Sequence, residues 1–161
     1  MKRENKNRVF LILDNIRSVY NVGAIFRTAD ALGISKIYLC GYTPTPIDRF
    51  GRERKDFIKS ALGAEKTVDW ESRKKTEDLL EELKNKNIFL AAVEQSKNSL
   101  DYKKFKAELP IAFIFGNEVL GISEEILKKC DVVLEIPMRG KKESLNISVS
   151  LGVALFRVLD I

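Results

Sequence analysis

The chain has 161 residues, 45% of them hydrophobic and 32% charged, the profile of one soluble globular domain large enough to bury a continuous core. It contains no histidine, which excludes an imidazole base, a Ser-His-Asp triad and histidine ligation of a metal. The 28 Lys and Arg residues against 23 Asp and Glu leave a net charge of +5, which favours polyanionic partners without naming one. The stretch 1–8 is polar and basic, and the first apolar run after it is too short for a signal peptide or a membrane span, so a cytoplasmic protein is expected.

Short apolar runs at 9–13, 36–40, 67–70, 88–93, 111–115 and 132–136 read as strands, and helical patterns alternate with them. The unbroken hydrophobicity of Ile-Ala-Phe-Ile-Phe at 111–115 marks strands buried on both faces, hence an α/β fold with a parallel sheet flanked by helices. After the first strand, Val22, Ile25, Phe26, Ala29 and Leu32 form one apolar helix face that stops at Gly33. The second strand leads into a long loop, 41–51, around which Arg49, Arg52, Arg54, Lys55 and Lys59 crowd. That cluster is either a solvated helix surface or a contact for a phosphate backbone. Further helices are predicted over 76–85 and from a Ser123 cap through Lys129. The last helix, about 145–159, carries Ile147, Leu151, Ala154, Leu155 and Val158 on one face and Val149, Val153, Phe156 and Leu159 on another. It is either buried on both sides or paired with a second copy in a homodimer. Cys40 and Cys130 are far apart and flanked by apolar residues, which reads as two core thiols rather than zinc ligands.

Three polar clusters follow strands, and in a parallel sheet those positions share one edge. The first runs from Asn15 to Thr28 and includes Asn21 and Arg27; helix capping and a solvated charge are the simpler explanations of those two. The second, Gly116-Asn-Glu-Val-Leu-Gly121, has the glycine spacing of a phosphate loop but lacks the following lysine, so it is either a tight structural turn or a pocket for something other than a nucleotide phosphate. The third joins Lys141 and Lys142 to Ser144 and Asn146 at the start of the last helix, where capping accounts for one of the two polar residues.

Taken together, Asn21-Val-Gly-Ala-Ile-Phe-Arg27-Thr-Ala, Phe115-Gly-Asn-Glu118-Val-Leu-Gly-Ile-Ser123 and Ile136-Pro-Met-Arg-Gly-Lys-Lys-Glu-Ser144-Leu-Asn146 resemble, in order and position, the three motifs of the TrmH/SpoU family of RNA ribose 2'-O-methyltransferases, of the SPOUT class. The resemblance implies a parallel α/β sheet with a deep trefoil knot in its C-terminal part, the known exception to unthreaded chains. It implies S-adenosylmethionine held by Gly116, Asn117, Ile136, Met138, Leu145 and Asn146, and a metal-free reaction. Arg27 would activate the ribose hydroxyl, Asn21 support it, and Glu118, Ser144 and Asn146 shape the site. A guanidinium is too weak a base for proton abstraction, so Arg27 is better suited to holding a phosphate and stabilising the developing alkoxide. The expected protein is a single SPOUT domain over 1–161 with no additional RNA-binding domain. RNA contacts would then come from Arg49, Arg52, Arg54, Lys55, Lys59, Lys141 and Lys142 on a homodimer, or from an accessory protein. Transfer RNA is favoured over ribosomal RNA as substrate. The rival expectation is a knotted RNA-binding module without catalysis, of the ribosome-assembly or RNA-chaperone kind.

Overall fold

Five of the six apolar runs become strands that hydrogen-bond along both edges. The computed structural model describes residues 8–161, so most of the basic stretch 1–8 lies outside the described residues. In chain order the elements are β1 (Val9–Asp14), α1 (Val19–Ala31), β2 (Lys36–Cys40), α2 (Lys55–Ala61), α3 (Ala64–Thr67), β3 (Trp70–Arg73), α4 (Thr76–Asn85), β4 (Phe89–Val93), β5 (Leu100–Asp101), β6 (Ile111–Phe115), α5 (Glu124–Lys129), β7 (Val132–Glu135) and α6 (Ile147–Val158). The strands form one sheet in the order β3-β2-β1-β6-β4-β7-β5, and every pairing is parallel. Every residue of the central strands β1 and β6 is buried, which is why their sequences are continuously apolar rather than alternating.

The pleat divides those strands between two cores. Leu11, Leu13, Phe113 and Phe115 point to the side covered by α1, α2 and α6, while Phe10, Ile12, Ala112 and Ile114 meet Leu79, Leu80, Leu83 and Ile126 from α4 and α5. On the first side α1 and α2 lie close because Gly23 has no side chain: a Cβ there would meet the Phe57 carbonyl oxygen at 2.8 Å. Phe26 and Phe57 fill the space beside it, edge to face at 5.2 Å between ring centres. Strand order reverses between β1 and β6, since β1 leads outward to β2 and β3 while β6 borders β4. A crevice therefore opens at the carboxyl ends of these two strands, where the chain departs from them in opposite directions.

Two expectations need correction, and one strand has no counterpart among them. The run 67–70 is not a strand: residues 64–67 close a short helix, and the strand is the later Trp70–Arg73. Its half-exposed, charged residues suit a sheet edge and carry no apolar signature. The two-residue β5 is too short for any periodicity to register. The last helix begins at Ile147 rather than 145, because Asn146 is its cap. Cys40 is buried and Cys130 half-buried; burial pushes both thiols up to about 12, so both stay protonated and inert at neutral pH.

Truncating Phe57 to alanine should cost about 3–5 kcal/mol by emptying the α1–α2 contact. Urea unfolding would register this as a lower midpoint at unchanged slope.

Candidate active site

Four segments leaving the carboxyl edge of the sheet build the crevice. After β6, Gly116 has no room for a side chain, because a Cβ would meet the Gly121 carbonyl oxygen at 2.7 Å. Asn117 is buried, and its amide ties the turn together. Its Oδ1 accepts from the backbone of Val119 and of Leu120, both at 2.8 Å, and its Nδ2 donates to the Asn15 carbonyl at 2.8 Å and the Tyr42 hydroxyl at 2.9 Å. The side chain is thus saturated within the chain, and Asn117 acts by shaping the loop rather than by offering free hydrogen bonds.

That turn delivers Glu118 to the start of α1. Its carboxylate accepts from the backbone N–H of Arg17 at 3.0 Å, of Ser18 at 3.1 Å, and from Asn21 Nδ2 at 3.4 Å. Burial pushes this carboxyl up, but the amide donors outweigh it and hold it below the usual glutamate range. Ser18 caps α1 by accepting from the Asn21 backbone, so Asn21 is not the cap and its side chain is left for the site. Asn21 Oδ1 then accepts from Asn146 Nδ2 at 3.1 Å, and Asn146 Oδ1 caps α6 by accepting from the Ser148 backbone at 2.9 Å. The capping role at the third cluster thus falls to Asn146, and Ser144 is exposed beside it.

These contacts enclose a cavity of about 590 Å³. Asn21, Gly116, Asn117, Glu118, Ile136, Met138, Ser144, Leu145 and Asn146 all line it, so nine of the expected site residues share one space. Arg27 does not. It is exposed on α1, outside the lining, as the six-residue offset from Asn21 around a helix requires. Of the expected RNA contacts, Arg49, Arg52, Lys55, Lys59, Lys141 and Lys142 are exposed outside the cavity, and Arg54 is half-buried beside Asp56 at 3.7 Å.

The sequence reading missed the fourth wall. Val93, Glu94 and Gln95, at the end of β4, line the cavity, and Gln95 Nε2 donates to the Glu143 carbonyl, joining that wall to the segment after β7. The signal was present, because 94–95 also follow an apolar strand, but they form no glycine-rich or motif-like cluster. The lining holds three carboxylates, Glu94, Glu118 and Glu143, and not one lysine or arginine among the described residues. Its apolar walls include Val93, Phe115, Ile136, Leu145 and Ile147. Such a space favours a compact cationic ligand with an apolar body over a polyphosphate.

The model of the SpoU rRNA Methylase family matches residues 8–156. The chain belongs to that family. YacO of Bacillus subtilis, named for the TrmH family of tRNA/rRNA methyltransferases, is 30% identical over 98% of this chain and 60% of its own length. The chain therefore spans about three-fifths of the curated relatives it matches. An rRNA methyltransferase from Sinorhizobium meliloti, solved with AdoMet bound, superposes with a TM-score of 0.85 at 27% identity, covering 96% of this chain and 56% of that one. A structure concerned with 2-OH methylation of C/U34 on tRNA superposes at 0.80 with 25% identity, covering 96% of this chain and 95% of that one. The expected parallel sheet flanked by helices is thus the observed one, and its solved neighbours are methyltransferases of the SPOUT fold.

Replacing Glu118 by glutamine should lower stability by about 1–2 kcal/mol at neutral pH, since the charge-assisted bonds to the α1 amides are lost. The folded-state pKa is depressed, so the wild-type advantage is complete above the ordinary glutamate value and disappears as pH falls through the lowered one. Thermal melts of both proteins from neutral to acid pH should therefore converge only at the acid end.

Proposed function

We propose that this chain transfers a methyl group to a ribose 2'-hydroxyl of RNA, with S-adenosylmethionine as donor. The observation that carries the reading is the cavity's lining of three carboxylates without a lysine or arginine among the described residues. A sulfonium cofactor is a cation with an apolar adenine body, and the residues present suit it: Ile136, Leu145 and Ile147 offer apolar walls, and the Gly116–Gly121 turn offers main-chain polar groups. When bound, the cofactor supplies an electrophilic methyl group and needs no metal to do so. The solved relative from Sinorhizobium meliloti, with AdoMet bound, supports this choice.

The chain's own groups hold the geometry. Glu118 fixes Asn21, and Asn21 fixes Asn146, so two oriented amide groups stand in the cavity wall beside the carboxylates. Ser144 stands exposed at the mouth as a hydroxyl that can both donate and accept. Arg27 lies outside this cavity, so the role it suits is holding a phosphate beside the target ribose. The basic residues Arg49, Arg52, Arg54, Lys55, Lys59, Lys141 and Lys142 would take the rest of the backbone.

The outward stripe of α6, Val149, Val153 and Phe156, is 38–50% exposed at i, i+4, i+7 spacing, as the reading of a second apolar face anticipates. A second copy of the chain is its proposed occupant, since a twofold contact lays the same stripe against itself. A trefoil knot in the C-terminal segment belongs to the same reading and rests on the solved neighbours. Transfer RNA is the preferred substrate because the neighbour concerned with tRNA matches this chain almost end to end.

The test is purified protein with methyl-labelled S-adenosylmethionine and, separately, unmodified tRNA and rRNA, followed by nuclease digestion. Label in a 2'-O-methyl nucleoside is expected. Absence of both label and cofactor binding would favour the silent RNA-binding module instead. Arg27→Lys should cut turnover roughly 10²-fold while cofactor affinity stays constant; equal turnover would remove Arg27 from the reaction.

A further inference from the structure

The loop between β2 and α2 is long, but its outer part is built rather than slack. Ile47 and Glu53 pair as an antiparallel bridge, and the Arg54 N–H donates to the Pro46 carbonyl at 2.9 Å. Inside that bridge Asp48 organises the tip. Its Oδ1 accepts from the backbone of Phe50 at 2.8 Å and of Arg52 at 3.0 Å, and its Oδ2 accepts from Arg52 Nε at 2.9 Å. Gly51 supplies the left-handed residue the reversal needs, with φ of 76°.

The residue this turn presents is a phenylalanine. Phe50 is 66% exposed, and the guanidinium carbons of Arg49 and Arg52 lie 4.8 and 5.0 Å from its ring centre. Asp48 already holds one of the two, so the group is ordered before any ligand arrives. Nothing in the fold requires a ring here: the turn's hydrogen bonds are made by backbone atoms and the side chains of Asp48 and Arg52, and Phe50 belongs to neither core. Two guanidinium planes over a ring that is itself mostly exposed form a group of π-surfaces on which a base can stack, with positive charge for the phosphates on either side of it. Near the start of the loop the Tyr42 hydroxyl accepts from Asn117 Nδ2 at the cavity wall, which ties the base of the loop to the candidate active site.

Resting on the RNA methyltransferase reading, we propose that Phe50, with Arg49 and Arg52, is a stacking platform for an unpaired nucleobase of the substrate RNA. The base must be unpaired because a duplex hides the faces that a ring can cover. The platform reads no sequence by itself, since every base has a π-face; it selects for a looped-out or single-stranded nucleotide of the substrate.

The full chain is titrated with two fluorescent probes of equal length at one salt concentration, an oligoadenylate and an abasic oligoribonucleotide. The wild type should prefer the oligoadenylate. Phe50→Ala should weaken that probe roughly tenfold or more and leave the abasic one unchanged, Phe50→Trp should restore it, and Phe50→Leu should not. Equal binding of both probes by the wild type, no binding of either, or an equal loss on both in Phe50→Ala would overturn the platform. Unchanged melting and unchanged S-adenosylmethionine affinity in the variants keep folding and the cofactor site out of the comparison. Methyl transfer by the wild type, measured in parallel, judges the parent reading separately: a base-dependent platform without transfer would sink the reaction and leave the contact.

Discussion

Glu118 can accept hydrogen bonds and, while ionised, cannot donate one, and the polarity of the whole crevice follows from that. Facing the first turn of α1, it draws the N–H groups of Arg17 and Ser18 at the positive end of the helix. It also turns the NH₂ of Asn21 toward itself, which leaves the Asn21 carbonyl oxygen facing the other way. That oxygen can be met only by a donor, so Asn146 presents its NH₂ to it and keeps its own oxygen for the start of α6. One fixed charge thus sets the orientation of two amides and joins segments that are 97 and 125 residues apart.

The surface charge is sorted by depth. Carboxylates sit in the cavity, while the arginines and lysines around 49–59 and at 141–142 stand outside it. On the proposed reading, with a cationic cofactor beside an RNA, this arrangement would draw backbone phosphates to the basic exterior and away from the cavity. On that reading a neutral group such as a ribose hydroxyl would meet no such opposition in entering. The net charge of +5 conceals this division, because it averages an acidic interior site with a basic exterior.

Much of this was legible in the sequence, for reasons particular to each element. The continuous hydrophobicity of 111–115 announced a central parallel strand, and β6 is one. Gly33 after the apolar face of α1, and Ser123 before two glutamates, marked helix limits that the structure keeps to within two residues. The three motif clusters met because parallel strands deliver their exits to one edge. What escaped was set by tertiary context. Trp70–Arg73 is a strand only because the Ile37–Cys40 edge accepts it, and its own residues favour nothing so definite. Val93 and Glu94 line the cavity by virtue of β4 lying next to β6, an adjacency no local pattern encodes. Arg27 shows the opposite limit: its motif placed it in the site, whereas the helix geometry of α1 turns it away from its own cavity.

The span of the Glu118 contacts also has a meaning in time. Arg17 and Ser18 emerge from a ribosome about a hundred residues ahead of the carboxylate that receives them. At roughly 5–20 residues per second, the first turn of α1 waits on the order of 5–20 seconds for its acceptor, and Asn21 waits longer still for Asn146. During synthesis the sheet can grow outward from β1 through β2 and β3, but no half-made chain owns a closed cavity. Affinity for a small ligand is therefore acquired late and all at once, so that a chain able to bind it is one whose distant ends have already met.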